Sequence, residues 1–283
     1  MRARLLVLAA ASLATLQVAS AADMPVKAPI YKAPAAAVYN WNGFYAGVNG
    51  GYGWGANDAD FTGEPANGAG NDFVSRIFTG AVNFSPNTGT QSIDANGAIG
   101  GAQLGYNWQF APTWVAGFEA DIQASGVKGD ATTTSPSVSL RLDSEQKLKW
   151  FGTLRGRLGY LVNPNLLVYA TGGLAYGETE GSATVTSATG FIAVGATTTI
   201  TCAAGPVCLS GQDSKTAAGW TAGGGAEWAV TRNISVKGEY LHIDLGNESV
   251  LMTAQAPSTG NGTITATFHN SFDIVRAGLN WKF

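Results

Sequence analysis

A chain of 283 residues with 12% charged residues and 38 glycines is not a disordered segment, because disorder goes with high charge and few aromatics. A formal net charge of −3 excludes the basic footprint of a nucleic-acid binder. What remains is one large β domain, or two ordinary ones, that buries much of its surface in something other than water.

Residues 1–21 read as a secretory signal. Arg2 and Arg4 begin it, residues 5–16 form a short apolar run, and Ala19-Ser20-Ala21 offers a small-residue cleavage site. The run is too short to span a bilayer, which takes about 20 residues. Residues 22–40, with Pro25, Pro29 and Pro34, read as an extended periplasmic leader. Nothing later is apolar and long enough for a transmembrane helix, so entry into a membrane requires a closed barrel.

From Trp41 to Phe283 the chain alternates with the period of a strand. Phe44, Val48, Tyr52 and Trp54 share one face, and Tyr45, Gly47 and Asn49 the other. Leu104, Tyr106, Trp108 and Phe110 oppose Gln103, Asn107 and Gln109; Trp114, Phe118 and Ile122 oppose Glu119, Asp121 and Gln123. In residues 148–162, Leu148, Trp150, Leu154 and Leu158 oppose Lys149, Arg155 and Arg157. Val168, Leu174 and Tyr176 lie on a fifth strand, and Trp220 and Trp228 oppose Glu227 on a sixth. Val236 and Tyr240 oppose Lys237 and Glu239 on a seventh; beyond Tyr240 the phase is open, and a bulge there would reset it. On the last, Val275, Leu279, Trp281 and Phe283 oppose Arg276, Asn280 and Lys282.

These strands predict an all-β, eight-stranded, antiparallel up-and-down transmembrane barrel over residues 41–283. Short turns at Ala111-Pro112, Asn163-Pro164 and Thr231-Arg232 alternate with long connections at 56–96, 126–145, 178–215 and 247–268. That is the loop asymmetry of an outer-membrane barrel, short in the periplasm and long outside. Trp108, Phe110, Trp114, Trp228, Trp281 and Phe283 cluster beside the short turns, as an interfacial girdle should.

Several segments resemble the small outer-membrane β-barrel "porin family" proteins and surface antigens of alphaproteobacteria. They are Asn40-Trp41-Asn42-Gly43-Phe44-Tyr45-Ala46-Gly47, Gln103-Leu104-Gly105-Tyr106-Asn107-Trp108-Gln109, Gly156-Arg157-Leu158-Gly159-Tyr160, Glu239-Tyr240-Leu241 and Trp281-Lys282-Phe283. The likeness to OmpA-like two-domain proteins covers the barrel alone. The resemblance implies an outer-membrane address amid lipid and lipopolysaccharide. It also implies insertion by the barrel-assembly machinery, which would read Leu279, Trp281 and Phe283 as a terminal signal. It says little about activity, because this fold class hosts pores, adhesins and enzymes.

Glu119, Asp121, Lys149, Arg155, Arg157, Glu227, Lys237, Glu239, Arg276 and Lys282 fall on the inward face. An eight-stranded barrel is only wide enough for side chains to fill it, so these charges are expected to pair as an interior network. Cys202 and Cys208, in an exported chain, are expected to pair as a disulfide. A metal site there lacks further ligands. His242 shares a face with Asp244, and His269 lies two residues before Ser271. Catalysis would need a nucleophile, a base and an orienting group in contact, and no catalytic residue or cofactor is assigned. The expected role is a structural surface protein, monomeric, with at most narrow conductance. The alternatives are a general diffusion porin and an adhesin acting through external loops.

Overall fold

The computed structural model describes residues 39–64, 88–135, 139–194, 198–202, 207–254 and 263–283. The expected signal, and all but the end of the expected leader, lie outside the described residues. Among the described residues there are ten strands: β1 (Gly43–Glu64), β2 (Thr88–Ala111), β3 (Trp114–Ser135), β4 (Leu140–Asn163), β5 (Leu166–Ser187), β6 (Phe191–Val194), β7 (Thr198–Thr201), β8 (Val207–Ala229), β9 (Ile234–Ala254) and β10 (Thr263–Lys282). Eight close a ring in the order β1-β10-β9-β8-β5-β4-β3-β2, and β6 and β7 form a separate hairpin. The ring shuts where β1 pairs with β10, from Tyr45 opposite Lys282 to Glu64 opposite Thr263. No open edge then remains for lipid to meet.

The short turns have local causes. Proline cannot donate to a ladder, and Pro112 and Pro164 each sit at a strand end. Asn163 accepts from the Asn165 amide at 2.9 Å, and Thr231 from the Ile234 amide at 3.0 Å. Both are side-chain-closed turns.

The ring strands are 20 to 24 residues long, roughly twice the 9–11 needed to cross a membrane. In their lower halves the outward residues are apolar: Phe44, Val48, Leu104, Phe118, Leu154, Leu158, Val275 and Leu279 are all exposed. Trp108, Trp114, Trp228 and Trp281 mark the short-turn end of this band, and Tyr52, Trp54, Trp150, Tyr176, Trp220 and Tyr240 its upper end. From Phe44 to Trp54 the rise is about 25 Å for a strand tilted near 40°, the height of an outer-membrane apolar band.

Above that band the polarity inverts. Asp58, Thr90, Ser92, Lys128, Asp130 and Thr132 face out, while Phe61, Ile93, Leu142, Val185, Met252, Ile264 and Phe268 are buried inside. The upper half is therefore built like a soluble barrel standing on a transmembrane one. Much of the sequence expected to form long loops is strand. Each large apolar side chain buried there contributes about 1.5–3 kcal/mol. Cys202 and Cys208, joined as a disulfide, belong to the same core.

Two irregularities reset the alternation. The ladder of β4 with β5 shifts between Leu148 and Trp150. Lys149 and Trp150 both turn outward there, and Leu148 turns in. On β9, Leu241, Ile243 and Leu245 stay buried, so the alternation holds through Leu245. The bulge beyond Tyr240 falls beside Gly246, opposite the His269/Ser271 register shift.

Candidate functional site in the barrel lumen

Inward positions of five strands meet at mid-height in the transmembrane half. β3 supplies Glu119 and Asp121, β4 Arg155 and Arg157, β8 Glu227, β9 Lys237 and Glu239, and β10 Arg276; all eight are buried. Some pairs are set by neighbouring-strand register: Glu119 opposite Arg155, Glu227 opposite Lys237, and Arg276 opposite Glu239. Others cross the lumen. Arg276 Nη2 lies 2.9 Å from Asp121 Oδ2, Arg155 Nη1 3.0 Å from Glu239 Oε1, Lys237 Nζ 2.7 Å from Glu119 Oε1, and Arg157 Nη2 2.7 Å from Glu227 Oε2. Four carboxylates thus face four cations, and the lattice is neutral. Buried charges persist only when paired and hydrogen-bonded in this way.

Neutral groups complete the lattice. Tyr45 donates to Glu119 at 2.7 Å, Tyr169 to Glu239 at 3.0 Å, and Thr153 to Asp121 at 2.8 Å. Asn280 donates to Glu227 at 2.9 Å, and the Arg157 guanidinium lies 4.2 Å over the Tyr169 ring. These partners are not among the residues expected in the network, although each sits at an inward position of its strand. A glycine makes room for one of them: a Cβ on Gly105 would come within 2.3 Å of the Tyr45 ring.

The lattice is covered on both sides. Below it Trp41, 1% exposed, donates from its indole to the Pro164 carbonyl at 3.1 Å. Tyr39 packs edge-on against it at 4.7 Å. Both join Val115, Leu161, Leu167 and Tyr169 in an apolar cluster at the short-turn mouth. Tyr39 and Asn40, assigned to the leader from the sequence, are therefore part of the mouth. Above the lattice, Phe151, Leu148, Leu241, Ile243, Phe272 and Ile274 form an apolar layer.

Two residues assigned to the network stand apart from it. Lys149 is on the outer wall, 2.9 Å from Glu178 and 2.8 Å from Glu180, because the β4 bulge turns it round. Lys282 is inward but lies at the mouth, bonded to the Asn40 carbonyl and 5.3 Å from the Tyr39 ring. Leu279, Trp281 and Phe283 face the lipid side. The histidines contact carboxylates: His242 with Asp273 at 2.9 Å and His269 with Asp60 at 3.1 Å. Asp60 lies above the apolar band, and a hydrogen bond from Thr90, then the His269 contact, hold its carboxyl below the usual range.

A closed eight-stranded ring with a lipid-facing band and a side-chain-filled lumen defines the class, a small transmembrane β-barrel. The chain belongs to the outer membrane protein beta-barrel domain family, whose model matches residues 6–283. It is similar to the 31 kDa outer-membrane immunogenic protein of Brucella melitensis biotype 1, with 34% identity over 268 residues, 94% of this chain and 93% of that protein. It is also similar to the 25 kDa outer-membrane immunogenic protein of Brucella abortus biovar 1, with 27% identity over 263 residues, 92% and 85% of the two chains. Among solved structures, OprG of Pseudomonas aeruginosa aligns with a TM-score of 0.44 and 11% identity, over 87% of this chain and 98% of that chain. The protein resides in the outer membrane of the Gram-negative envelope.

Proposed function

We propose that this protein is a structural surface barrel, closed along its axis at rest and passing at most a narrow ion current. The carrying observation is the neutral lattice, in which Arg276–Asp121 and Arg155–Glu239 bridge strands that are not neighbours. A diffusion porin needs an aqueous path, which an eight-stranded ring filled by side chains lacks. The aromatic cap at the mouth and the apolar layers above add two further barriers. The reading assigns no catalysis and no cofactor. Leu279, Trp281 and Phe283 act here as the assembly signal, and the monomer is the working form. Planar-bilayer recording and liposome swelling test it. The expected result is small, intermittent current and no disaccharide uptake; stable large channels from purified protein would overturn it.

A second reading rests on the projecting half of the wall. Its rows of Asp, Thr, Ser and Lys side chains stand above the membrane, where contacts with external molecules would be made.

A further inference from the structure

The outer surface of the barrel carries a depression inside the apolar band. Its volume is about 810 Å³, within the range of about 300–1,000 Å³ that small-ligand sites occupy. Two rows of outward residues build it. In the first, Tyr106 on β2 stands opposite Phe118 on β3, Phe118 opposite Gly156 on β4, and Gly156 opposite Gly172 on β5. In the second row, nearer the short turns, the order across the same strands is Trp108, Ala116, Leu158 and Ala170. Aromatic rings therefore rise on the β2–β3 side, where Phe118 is 70% exposed. The floor falls to bare backbone at Gly156 and Gly172.

The wall itself does not require those two glycines. A Cβ on Gly156 would meet nothing nearer than the Gly172 carbonyl at 4.0 Å, and one on Gly172 nothing nearer than the Thr221 carbonyl at 3.4 Å. Gly173, on the lumen side, is the opposite case, since its Cβ would lie 2.1 Å from the Leu154 carbonyl. Glycine inside a strand weakens it. At positions 156 and 172 that cost relieves no contact within the barrel, so what the small residues accommodate lies outside it. The lower end of the depression adds polar groups. Trp108 lines it, and Trp114 and Tyr160, edge-on at 5.5 Å, follow toward the short turns. All three side chains are exposed. None of their N–H or O–H groups donates to a protein acceptor among the described residues.

We propose that this depression holds one acyl chain of a phospholipid from the leaflet on the short-turn side, with the lipid's ester and phosphate oxygens accepting from Trp108, Trp114 and Tyr160. The wall faces hydrocarbon here, so the occupant is hydrocarbon. A chain laid against Phe118, Tyr106 and the bare backbone gains dispersion contacts that a void would forfeit. The donors sit at the height of the membrane interface, where an indole or phenol keeps its ring in the apolar layer and its polar atom among the head groups. A second copy of the barrel could push side chains into the depression, but its apolar band would leave the three donors unused. The inference is independent of whether the lumen conducts.

The test uses the full-length protein folded into bilayers of phosphatidylethanolamine and phosphatidylglycerol. A trace of the phosphatidylethanolamine carries a diazirine in mid-chain, and adducts formed on irradiation are mapped by mass spectrometry. Labelling around Ala116, Gly156 and Ala170 should exceed that around Val48 and Leu279, on strands across the ring, by about tenfold, the size of a 1.4 kcal/mol preference. Gly156→Leu fills the floor and should bring labelling down to the level of those strands; Ala170→Leu provides a second variant if that one folds poorly. Gly50→Leu, on β1, should change nothing, because a Cβ there is also free, with its nearest neighbour at 3.7 Å. Replacing Trp108, Trp114 and Tyr160 by Phe keeps a ring at each position and removes the donors. Native mass spectrometry of that variant should show less phospholipid retained through purification than the parent holds. Even labelling round the band, labelling indifferent to both filling variants, or unchanged retention without the donors would overturn the proposal. So would a protein–protein crosslink through the Gly156 face, which would give the depression to a second copy.

Discussion

Arg276 on the last strand and Asp121 on β3 meet at 2.9 Å across the lumen, although neither strand borders the other. The pair ties one side of the ring to the other, so its removal should act on the whole barrel. Replacing Arg276 by Leu leaves Asp121 and Glu239 short of a partner in a buried site. Breaking a buried pair in this way costs about 3–5 kcal/mol. Unfolding by urea in a reconstituted bilayer should show a loss of that size. Bilayer recordings of the same variant should show more frequent openings than the parent. An unchanged midpoint would mean that the lattice carries little of the stability.

The lipid face gives a contrast between two heights on the wall. Leu154 faces out within the apolar band, and Thr88 faces out above it. Leu154→Arg should cost about 2–4 kcal/mol if it lies near the midplane. Thr88→Arg, in water, should stay within about 0.5 kcal/mol. Equal effects in the same titration would place the band at the wrong height.

The transmembrane half was legible because one chemical contrast persists along it. Leu154 and Leu158 against Arg155 and Arg157 tell lipid from lumen without any structure. The upper half was not legible, because the contrast reverses while the alternation continues. In Asn57-Asp58-Ala59-Asp60-Phe61 the apolar residues take the inward positions. Read with the membrane rule, that stretch looks like a polar loop. Lys149 was misplaced for a different reason: one bulged residue flips every side chain beyond it. The lattice residues could be picked out by face, but their partners across the lumen depend on the stagger of non-adjacent strands, which no local pattern encodes.

The inverted half makes its own prediction. Phe268 is 1% exposed in the core above the membrane, and Phe272 is 1% exposed in the layer below it. Phe268→Ala should cost about 3–5 kcal/mol, as for other buried aromatics. Cell-surface protease should then cut the upper wall faster, while the transmembrane band stays protected. A silent substitution would show that the upper strands add nothing to stability.

The mouth offers the last test. Trp41 lies in the cluster that contains Val115, which is 1% exposed. The native cysteines are paired, so a cysteine placed at position 115 would be the single free thiol. With Trp41 in place, a water-soluble maleimide added from the periplasmic side should label Val115→Cys slowly. With Trp41→Ala, the cavity left by a large buried ring opens the mouth, and labelling should quicken. The current through the barrel should nonetheless stay small, because the lattice above, from Arg157–Glu227 to Arg276–Asp121, is untouched. Fast labelling with low conductance would separate the cap from the lattice as two barriers in series. Fast labelling with a large stable current would instead make Trp41 the main seal and leave the lattice permeable.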